Sequence, residues 1–460
     1  MNRNSVRALL YEKYIAPTER PRNKAIGIEI EMPVVNLSGG PTDFSVTQAA
    51  AQGLYEQFGF ACSGKDAFGQ CYSATDPVTG DNLSFDCSYN NMELSFGKEQ
   101  DLRILDRRFR DYVSFLNAQL RAEGHTLTGM GVNPRWDVNN NSFLPVPRYQ
   151  MLQRYLSRSR EWSEKMYFHP YFAFGAFASA SQVQLDVQKD HLLTVLKAFS
   201  LVEPVKAVLF HNAYLSAEPE LLCARDLFWE NSTHGINPHN VGMYERIPET
   251  IDELLDYIAT TSIFCAEREG RYLHFRPIPI VEYLETDTVE GEYLEDGAYK
   301  TMTIHPESSD LKYLRTYKFE DLTYRGTIEF RSVCCQPFSS AMSVAAFHMG
   351  LMDRAGELSE LLERDDVLYH HGYNASELRK LMNRRNWPEW IDREKLTILC
   401  RSVLDLAKDG LREQGLGVEP YLEPLYHRAE TLCSPARYMV EQLEAGAALN
   451  ELILQYADLG

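Results

Sequence analysis

The sequence predicts an α+β protein in which one curved antiparallel sheet comes first and an α-helical region follows. Two observations predict this order. Five short stretches before residue 335 alternate between apolar and polar residues, which is the period of a β-strand with one buried face. After residue 339 the apolar residues recur at helical spacing instead. We therefore expect a sheet-and-cleft region over residues 1–338 and an α-helical C-terminal region over residues 339–460, integrated in one unit.

The first alternating stretch is Ile-Gly-Ile-Glu-Ile-Glu-Met at residues 26–32. In an extended strand its isoleucines and its methionine point to one face, and Glu29 and Glu31 point to the other. The two carboxylates then lie roughly 7 Å apart, which is the repeat of alternate residues in a strand. Taken alone, this pattern is typical of a half-exposed strand whose glutamates face solvent.

The same pattern recurs in four later stretches, and their polar faces carry an unusual set of residues. Glu, Gln, Asp, His and Arg occur there without any Lys, whereas a solvated sheet face usually shows Lys and Thr in quantity. If these strands form one sheet, their polar side lines a cleft in which carboxylates and amides suit a hard divalent cation and arginines suit phosphate or carboxylate. The polar residues are Asn91, Glu93 and Ser95, then Gln182, Gln184 and Asp186, then Tyr272, His274 and Arg276, and finally Arg325, Thr327, Glu329 and Arg331.

Helical periodicity occurs between these strands and dominates the C-terminal region. Residues 99–122 place apolar side chains at helical spacing with Arg and Asp between them, which predicts an amphipathic helix packed on the sheet. Residues 147–167 are predicted to form a helix whose outer face is basic and includes Arg148. The irregular polar segment 225–243 is typical of a functional loop. In the C-terminal region, helices are predicted at residues 340–364, 374–386, 392–414 and 434–456.

The composition of the whole chain argues against several classes of protein. The chain has 460 residues and a net charge of −19, whereas nucleic-acid binding needs a basic surface. No run approaches the ~20 apolar residues of a membrane span, and the first residues lack the apolar core of a secretion signal. Nine cysteines at irregular spacing, without such a signal, predict reduced thiols and a cytoplasmic protein.

Four of the motifs, in this order, resemble those of the glutamate–cysteine ligases, particularly the plant and actinobacterial branch. They are Gly-Ile-Glu-Ile-Glu at residues 27–31, Met-Glu-Leu-Ser at 92–95, Ser-Ala-Ser-Gln-Val-Gln-Leu-Asp at 179–186 and Gly-Thr-Ile-Glu-Phe-Arg at 326–331. The resemblance covers roughly residues 24–335. The chain departs from the family pattern at Asn240-Val241-Gly242, where Arg-x-Gly is usual, and at Ser308-Ser309, where an aromatic residue and proline are common.

This resemblance implies a glutamine-synthetase-like fold, with helices on the convex face of the sheet and ATP and Mg²⁺ on its concave face. In such ligases ATP phosphorylates a carboxylate, here that of L-glutamate, and an amine, here expected to be that of L-cysteine, displaces the phosphate. Two or three Mg²⁺ ions would be held by Glu29, Glu31, Glu93 and Glu329. The resemblance assigns Arg331 and Arg325 to phosphoryl transfer, Gln184, His305 and Lys312 to the nucleotide or its metal, and Arg225, Gln182 and Asn240 to substrate.

Three other functions stay open on the sequence alone. The acceptor could be another amino acid or amine in a specialised pathway. A glycoside hydrolase also uses paired carboxylates and needs no ATP, although four or more carboxylates with arginines exceed its requirements. A non-catalytic metal- or ligand-binding protein would leave the arginines unexplained. Each arginine also has a structural alternative, which is an ion pair with a carboxylate of the cleft.

Overall fold

The computed structural model describes residues 1–21, 23–162 and 167–460, and it has the predicted mixture of helices and antiparallel strands. The predicted fold class is confirmed, including the helical C-terminal region. The strands are β1 (Ile26–Asn36), β2 (Ala61–Lys65), β3 (Cys71–Thr75), β4 (Asn82–Phe85), β5 (Asn91–Ser95), β6 (His125–Leu127), β7 (Ser181–Asp186), β8 (Val241–Gly242), β9 (Ser262–Arg268), β10 (Arg271–Pro279), β11 (Val289–Glu295), β12 (Ala298–Ile304), β13 (Tyr317–Lys318), β14 (Glu320–Leu322) and β15 (Thr327–Phe330). The α-helices are α1 (Arg3–Leu10), α2 (Phe44–Phe58), α3 (Leu102–Ala122), α4 (Pro147–Ser157), α5 (Lys189–Phe210), α6 (Ala224–Glu230), α7 (Ile251–Thr260), α8 (Ile280–Glu285), α9 (Ser343–Met352), α10 (Ala355–Glu363), α11 (Ala375–Met382), α12 (Arg393–Gln414), α13 (Glu423–Thr431), α14 (Pro435–Glu444) and α15 (Leu449–Tyr456).

β1 lies in the middle of the main sheet. The strand order is β14-β15-β7-β1-β5-β4-β3-β2, and β6 pairs with the far end of β1. Every pairing in this sheet is antiparallel. Four of the five stretches identified from alternation are β1, β5, β7 and β15, so the sequence pattern located the strands around the centre of the sheet.

One face of β1 is buried in the hydrophobic core. Ile26, Ile28, Ile30 and Met32 are each at most 4% exposed. Burial of one such side chain contributes about 2 kcal/mol. Because a slip of one residue in the pairing would turn all four to the opposite face, the register of β1 is strongly specified.

Helices α5 and α9 pack on the apolar side of the main sheet. The ring of Phe199 in α5 lies 4.4 Å from the ring of Phe330 in β15, and the ring of His348 in α9 lies 4.5 Å from it. Neighbouring residues of a strand point to opposite faces. This packing therefore leaves Glu329 on the face that is turned away from the helices.

The predicted strand at residues 272–276 lies in a separate sheet. It belongs to β10, in a four-stranded sheet of order β12-β11-β10-β9, so the expectation of one sheet with all five stretches is wrong. Glu269 and Gly270 form a two-residue turn with φ of 52° and 76°, which folds β10 back onto β9. Alternation shows which residues of a strand share a face, but it does not identify the partner strand.

Cys62 and Cys71 form a disulfide between β2 and β3, so the prediction of nine reduced thiols is wrong. The two cysteines become neighbours through the pairing of the β2–β3 hairpin, which their spacing alone did not reveal. The other cysteines are free, and nearly all of them are buried.

The helix predicted at residues 147–167 is shorter in the structure. α4 covers Pro147–Ser157, and residues 163–166 lie outside the described residues. Arg148, which was predicted on the outer face, instead lines the cavity described below. Among the described helices, none is long and apolar enough to cross a bilayer.

Candidate active site

The register of the main sheet places acidic residues of adjacent strands side by side. Glu31 of β1 is paired with Glu93 of β5. Two residues along β1, Glu29 is paired with Ser95 on one side and with Gln182 of β7 on the other. Because paired residues of antiparallel strands face the same side, these groups form a continuous polar surface.

A second polar row crosses β1, β7, β15 and β14. Gln184 is paired with Glu329, and Glu329 is paired with Asp321. Nε2 of Gln184 donates hydrogen bonds to Glu329 at 2.8 Å and to Glu29 at 3.3 Å. Opposite Gln184 on β1 is Gly27, where an added Cβ would lie 3.3 Å from the Cβ of Gln184. The missing side chain leaves this linking amide room to reach both carboxylates.

The two rows face a cavity of about 840 Å³. Gln184 is not itself a lining residue, but it bonds to two residues that are. Most of the predicted site residues are thereby brought together from strands and helices that are distant in the chain. The predicted side chains that line the cavity are Glu29, Glu31, Glu93, Gln182, Arg225, Lys312, Arg325, Glu329 and Arg331.

Three arginines of the cavity are held by specific acceptors. Nη1 of Arg331 donates to Oε2 of Glu329 at 2.6 Å. Nη2 of Arg325 donates to Oε1 of Gln184 at 2.7 Å, and Nη2 of Arg225 donates to the carbonyl oxygen of Arg331 at 3.4 Å. Of these three arginines, Arg331 alone forms an ion pair with a predicted metal ligand, Glu329. The structural role considered above for each arginine, an ion pair with a carboxylate of the cleft, therefore applies to Arg331.

Comparison with known proteins identifies the family. Residues 25–455 match the sequence model of glutamate-cysteine ligase family 2. The chain belongs to this family. The chloroplastic glutamate–cysteine ligases of Solanum lycopersicum and Nicotiana tabacum are 21% and 20% identical to it over 362 residues, which cover 76% of this chain and 63% of each relative. The matched region thus spans less than two thirds of the length of these relatives.

A solved structure shows the same fold. The glutamate–cysteine ligase of Francisella tularensis, solved in complex with AMP, matches with a TM-score of 0.50 and 12% sequence identity. The match covers 95% of this chain and 88% of that protein. At this identity the comparison shows a shared fold alone. The family resemblance seen in the four strand motifs is confirmed.

Two residues assigned to this family's substrates lie away from the cavity lining. His305 is exposed, and its Nδ1 contacts the carbonyl oxygen of Asp287 at 2.8 Å. Asn240 is buried, and its amide hydrogen-bonds to the backbone of Ser262 in both directions at 2.7 Å. Because their side chains are engaged elsewhere, the predicted roles of His305 with nucleotide and Asn240 with substrate have no support in this geometry.

Three acids of the cavity were missed by the sequence reasoning. Asp86 directly follows β4, Asp226 lies in the first turn of α6, and Asp321 lies in β14 opposite Glu329. The signal for Asp86 was present, because Asn82, Ser84 and Asp86 alternate with apolar residues as the glutamates of β1 do. The segment around Asp321 has no comparable alternation, since β14 is only three residues long.

Two arginines of the cavity were also missed as site residues. Arg148 at the start of α4 and Arg315 before β13 both line the cavity. Neither has an ion-pair partner among the residues that the structure describes. An unpaired guanidinium inside a cavity is well suited to bind an anionic ligand. Helical periodicity placed Arg148 on a polar face, but it could not show that this face borders the cavity.

Burial and mutual repulsion strongly perturb the carboxylates of the main sheet. Burial, followed by the charge of Glu329, raises the pKa of Glu29 to about 7. Burial, followed by the charge of Asp86, raises the pKa of Glu31 to about 8. The pKa of Glu93 is raised well above its usual range by burial and then by its acidic neighbours. Such crowding of carboxylates without enough nearby cations is typical of a functional site.

The donor set of this site fits a hard divalent cation. One carboxylate oxygen each from Glu31, Asp86 and Glu93 lie within 4.8 Å of one another. None of these three is in an ion pair with a basic side chain of the described residues. Oxygen donors of this kind are the ligands that Mg²⁺ prefers, and a bound cation would relieve the repulsion that raises their pKa values.

Proposed function

We propose that the protein is an ATP- and Mg²⁺-dependent ligase that joins L-glutamate to L-cysteine through a γ-glutamyl phosphate. An oxygen of the glutamate γ-carboxylate attacks the terminal phosphorus of ATP and releases ADP. The amine of cysteine then attacks the acyl carbon, loses a proton and releases phosphate. The observation that carries the proposal is the set of crowded buried carboxylates beside Arg331 in one cavity of about 840 Å³.

The residues present fit the metal that this reaction needs. We assign Glu29, Glu31, Glu93 and Glu329 to Mg²⁺ and add Asp86, whose oxygen lies in the same cluster as those of Glu31 and Glu93. Mg²⁺ bound there would neutralise the negative charge of the phosphates during transfer.

The side chains of the chain would bind and orient the substrates. Arg331 projects from the end of the sheet beside Glu329, where its planar guanidinium can hold two oxygens of the transferred phosphoryl group. Arg325, fixed by Gln184, can hold a further phosphate oxygen. The unpaired Arg148 and Arg315 can bind the α-carboxylate of an amino acid or an outer phosphate of the nucleotide.

Phosphate release from ATP tests this proposal directly. The purified protein is incubated with ATP, Mg²⁺ and L-glutamate, with and without L-cysteine. Release that requires both amino acids supports the proposal. Release that requires glutamate but is indifferent to cysteine supports instead a γ-glutamyl ligase with another amine as acceptor. No release with any amino acid overturns the ligase function.

Thermal unfolding distinguishes the ligase from a carboxylate-pair hydrolase or a metal-binding protein. A ligand that binds only the folded state raises its stability. ATP together with Mg²⁺ should therefore raise the Tm of a ligase more than Mg²⁺ alone. An equal Tm in the two conditions would favour a metal-binding protein without a nucleotide site.

A further inference from the structure

A second cluster of metal-ligating side chains lies behind the wall of the cavity, and one of its members, Asp226, also lines the cavity. His211 follows the end of α5, Cys223 directly precedes α6, and Asp226 lies in the first turn of α6. A ring nitrogen of His211, Sγ of Cys223 and a carboxylate oxygen of Asp226 all lie within 4.8 Å of one another. The mechanism proposed above uses none of these three side chains.

His211 supplies an independent observation. The residue is 2% exposed, and neither of its ring nitrogens has a hydrogen-bond partner among the described residues. Buried polar side chains in folded proteins nearly always have a partner, so an imidazole with two unpaired nitrogens needs an explanation. The explanation that fits its neighbours is a ligand bound between His211, Cys223 and Asp226.

Cys334, from a different part of the chain, offers a fourth donor next to Cys223, outside the group of three donors that lie within 4.8 Å of one another. It follows β15, and its Sγ lies 3.5 Å from Sγ of Cys223. Two thiolates bound to one tetrahedral metal at the usual ~2.3 Å are about 3.8 Å apart. The separation of the two sulfurs is therefore already close to what a shared metal requires.

We propose that His211, Cys223, Asp226 and Cys334 form a buried structural site for a divalent transition metal of the Zn²⁺ type. Nitrogen, thiolate and carboxylate donors in fourfold coordination are the ligands of such metals, whereas Mg²⁺ and Ca²⁺ avoid sulfur. Nitrogen and sulfur ligands of a tetrahedral Zn²⁺ are about 3.5 Å apart. The three clustered donors need to close by little more than about 1 Å from their present spread of up to 4.8 Å.

Residues around the cluster already orient its donors. Nε and Nη2 of Arg379 donate to the two carboxylate oxygens of Asp226 at 2.9 and 3.0 Å, which leaves a lone pair on each oxygen. The side chain of Asn383 accepts from the backbone N–H of Cys223 at 2.6 Å and donates to its carbonyl oxygen at 3.0 Å. Such hydrogen bonds behind the ligands are typical of metal sites.

The charge of a loaded site suits its surroundings. Two thiolates, one carboxylate and one Zn²⁺ sum to a charge of −1. Arg225 is buried beside the cluster, with Nη1 3.8 Å from Sγ of Cys334, and it has no carboxylate in an ion pair among the described residues. The loaded site would give this guanidinium an anionic neighbour, which a buried charge requires.

The site would also connect the core to the cavity. Arg225 lies between Cys223 and Asp226 in sequence, and, like Asp226, it lines the cavity. A metal that fixes both of these ligands fixes the first turn of α6 and therefore the position of Arg225. This inference concerns the core cluster alone, so it holds whether or not the protein is a ligase.

Metal content of the purified protein tests the proposal. The protein is produced with Zn²⁺ in the medium and dialysed against metal-free buffer. Its metal content is then measured by inductively coupled plasma mass spectrometry. We expect about one Zn²⁺ per chain, retained in Cys400→Ser and in Glu93→Gln but lost in Cys223→Ser and His211→Gln. Cys400 is a buried free cysteine outside the cluster, and Glu93 belongs to the carboxylate site, so these variants separate the two regions.

Co²⁺ substitution in the unaltered protein keeps the test valid if the variants fail to fold. Tetrahedral Co²⁺ bound by thiolates gives strong visible bands and a thiolate charge-transfer band in the near ultraviolet, whereas Co²⁺ bound by carboxylates alone gives neither. These bands at one equivalent of Co²⁺ support the proposal. Absence of the bands, zinc below stoichiometry in the unaltered protein, or a Cys223–Cys334 disulfide in the freshly purified protein would overturn it.

Discussion

The two antiparallel sheets differ in how their acidic residues are neutralised. In the four-stranded sheet, Glu292 accepts a hydrogen bond from Nε of Arg154 at 2.6 Å and contacts Nε2 of His274 at 3.0 Å. Although burial acts in the opposite direction, the bond from Arg154 and the nearby positive charges lower the pKa of Glu292. Glu292 is thus held in a structural ion pair, and so is Glu295 of the same strand, which pairs with Arg271 and Lys300.

Two acids at the centre of the main sheet, unlike Glu329 with its partner Arg331, show the opposite arrangement. Glu31 accepts from the backbone N–H of Ala180 at 2.7 Å, and Glu93 accepts from the hydroxyl of Ser95 at 2.7 Å. Neither has a basic partner among the described residues, and burial raises the pKa of both. Both sheets carry alternating strands with acidic residues, so alternation does not distinguish a functional acid from a structural one. The balance of nearby charge does.

The largest expected effect is the loss of turnover when an acid of the main sheet is neutralised. Glu93→Gln should lower kcat at least about 100-fold, because the proposed Mg²⁺ site would lose a charged ligand. Without Mg²⁺ its Tm should stay close to that of the unaltered protein, since glutamine resembles the protonated form that burial favours at Glu93. Phosphate release and thermal unfolding measure the two effects.

Glu329→Gln should also abolish turnover while the fold stays intact. Full activity in either variant would remove the assignment of these acids to metal.

Substitution of Asp86 should have a smaller effect on activity, and it tests whether this acid belongs to the proposed Mg²⁺ site. Asp86→Asn should lower activity about 10- to 100-fold and raise the Mg²⁺ concentration needed for half-maximal rate. The shape of the side chain is kept while one anionic oxygen donor is lost. A variant with normal rate and normal Mg²⁺ dependence would place Asp86 outside the site.

The pH dependence of stability should separate the two sheets. Without divalent cations, the free energy of unfolding should fall as the pH rises from about 4.3 to about 8. In this window the folded chain keeps protons on Glu29 and Glu31, whose pKa values are about 7 and about 8, while the unfolded chain has released them. Each proton contributes a slope of up to about 1.4 kcal/mol per pH unit.

Urea unfolding in EDTA at several pH values measures this slope, and Mg²⁺ should flatten it. The lowered pKa of Glu292 acts in the other direction, because its contribution is present above the unfolded pKa and is lost as the pH falls below about 4.3. Stability that rises between about pH 5 and 8 in EDTA would contradict the raised pKa values of the main sheet.

The smallest effect is expected in the four-stranded sheet. Glu292→Gln should lower the free energy of unfolding by at most about 1 kcal/mol, because its ion pair with Arg154 is partly exposed. Turnover should be unchanged, since Glu292 does not line the cavity. Salt should reduce the difference in stability. A large loss of turnover in Glu292→Gln would show that the balance of nearby charge does not distinguish a functional acid from a structural one.

Much of the main sheet and its acidic face could be predicted from the sequence. The alternation in β1, β5, β7 and β15 is local, and each strand carries enough residues to show which face is buried. Helical periodicity also located most of the C-terminal helices. However, the helices predicted at residues 340–364 and 434–456 are each two shorter helices in the structure, and α13 was not predicted. These features depend on neighbouring residues of the chain, which the sequence displays directly.

The rest depended on contacts between distant segments. Strand β10 has the same alternation as β1 but belongs to another sheet, because its turn with β9 decides its partner. Arg148 borders the cavity only because α4 packs beside it, and Asp321 comes from a strand too short to show a period. His305 and Asn240 were assigned through the family resemblance, and their side chains are bonded elsewhere.

The position of β1 in the sheet has a consequence for how the protein is made. β1 emerges early from the ribosome, whereas β15, which carries Glu329, lies about 300 residues later. At about 5–20 residues per second, that interval lasts about 15 to 60 s. Throughout this time the nascent chain lacks part of the proposed metal site, and the isoleucines of β1 are not fully covered. We therefore expect the growing chain to depend on chaperones until residue 330 has left the ribosome, and the proposed nucleotide ligand to protect only the finished protein.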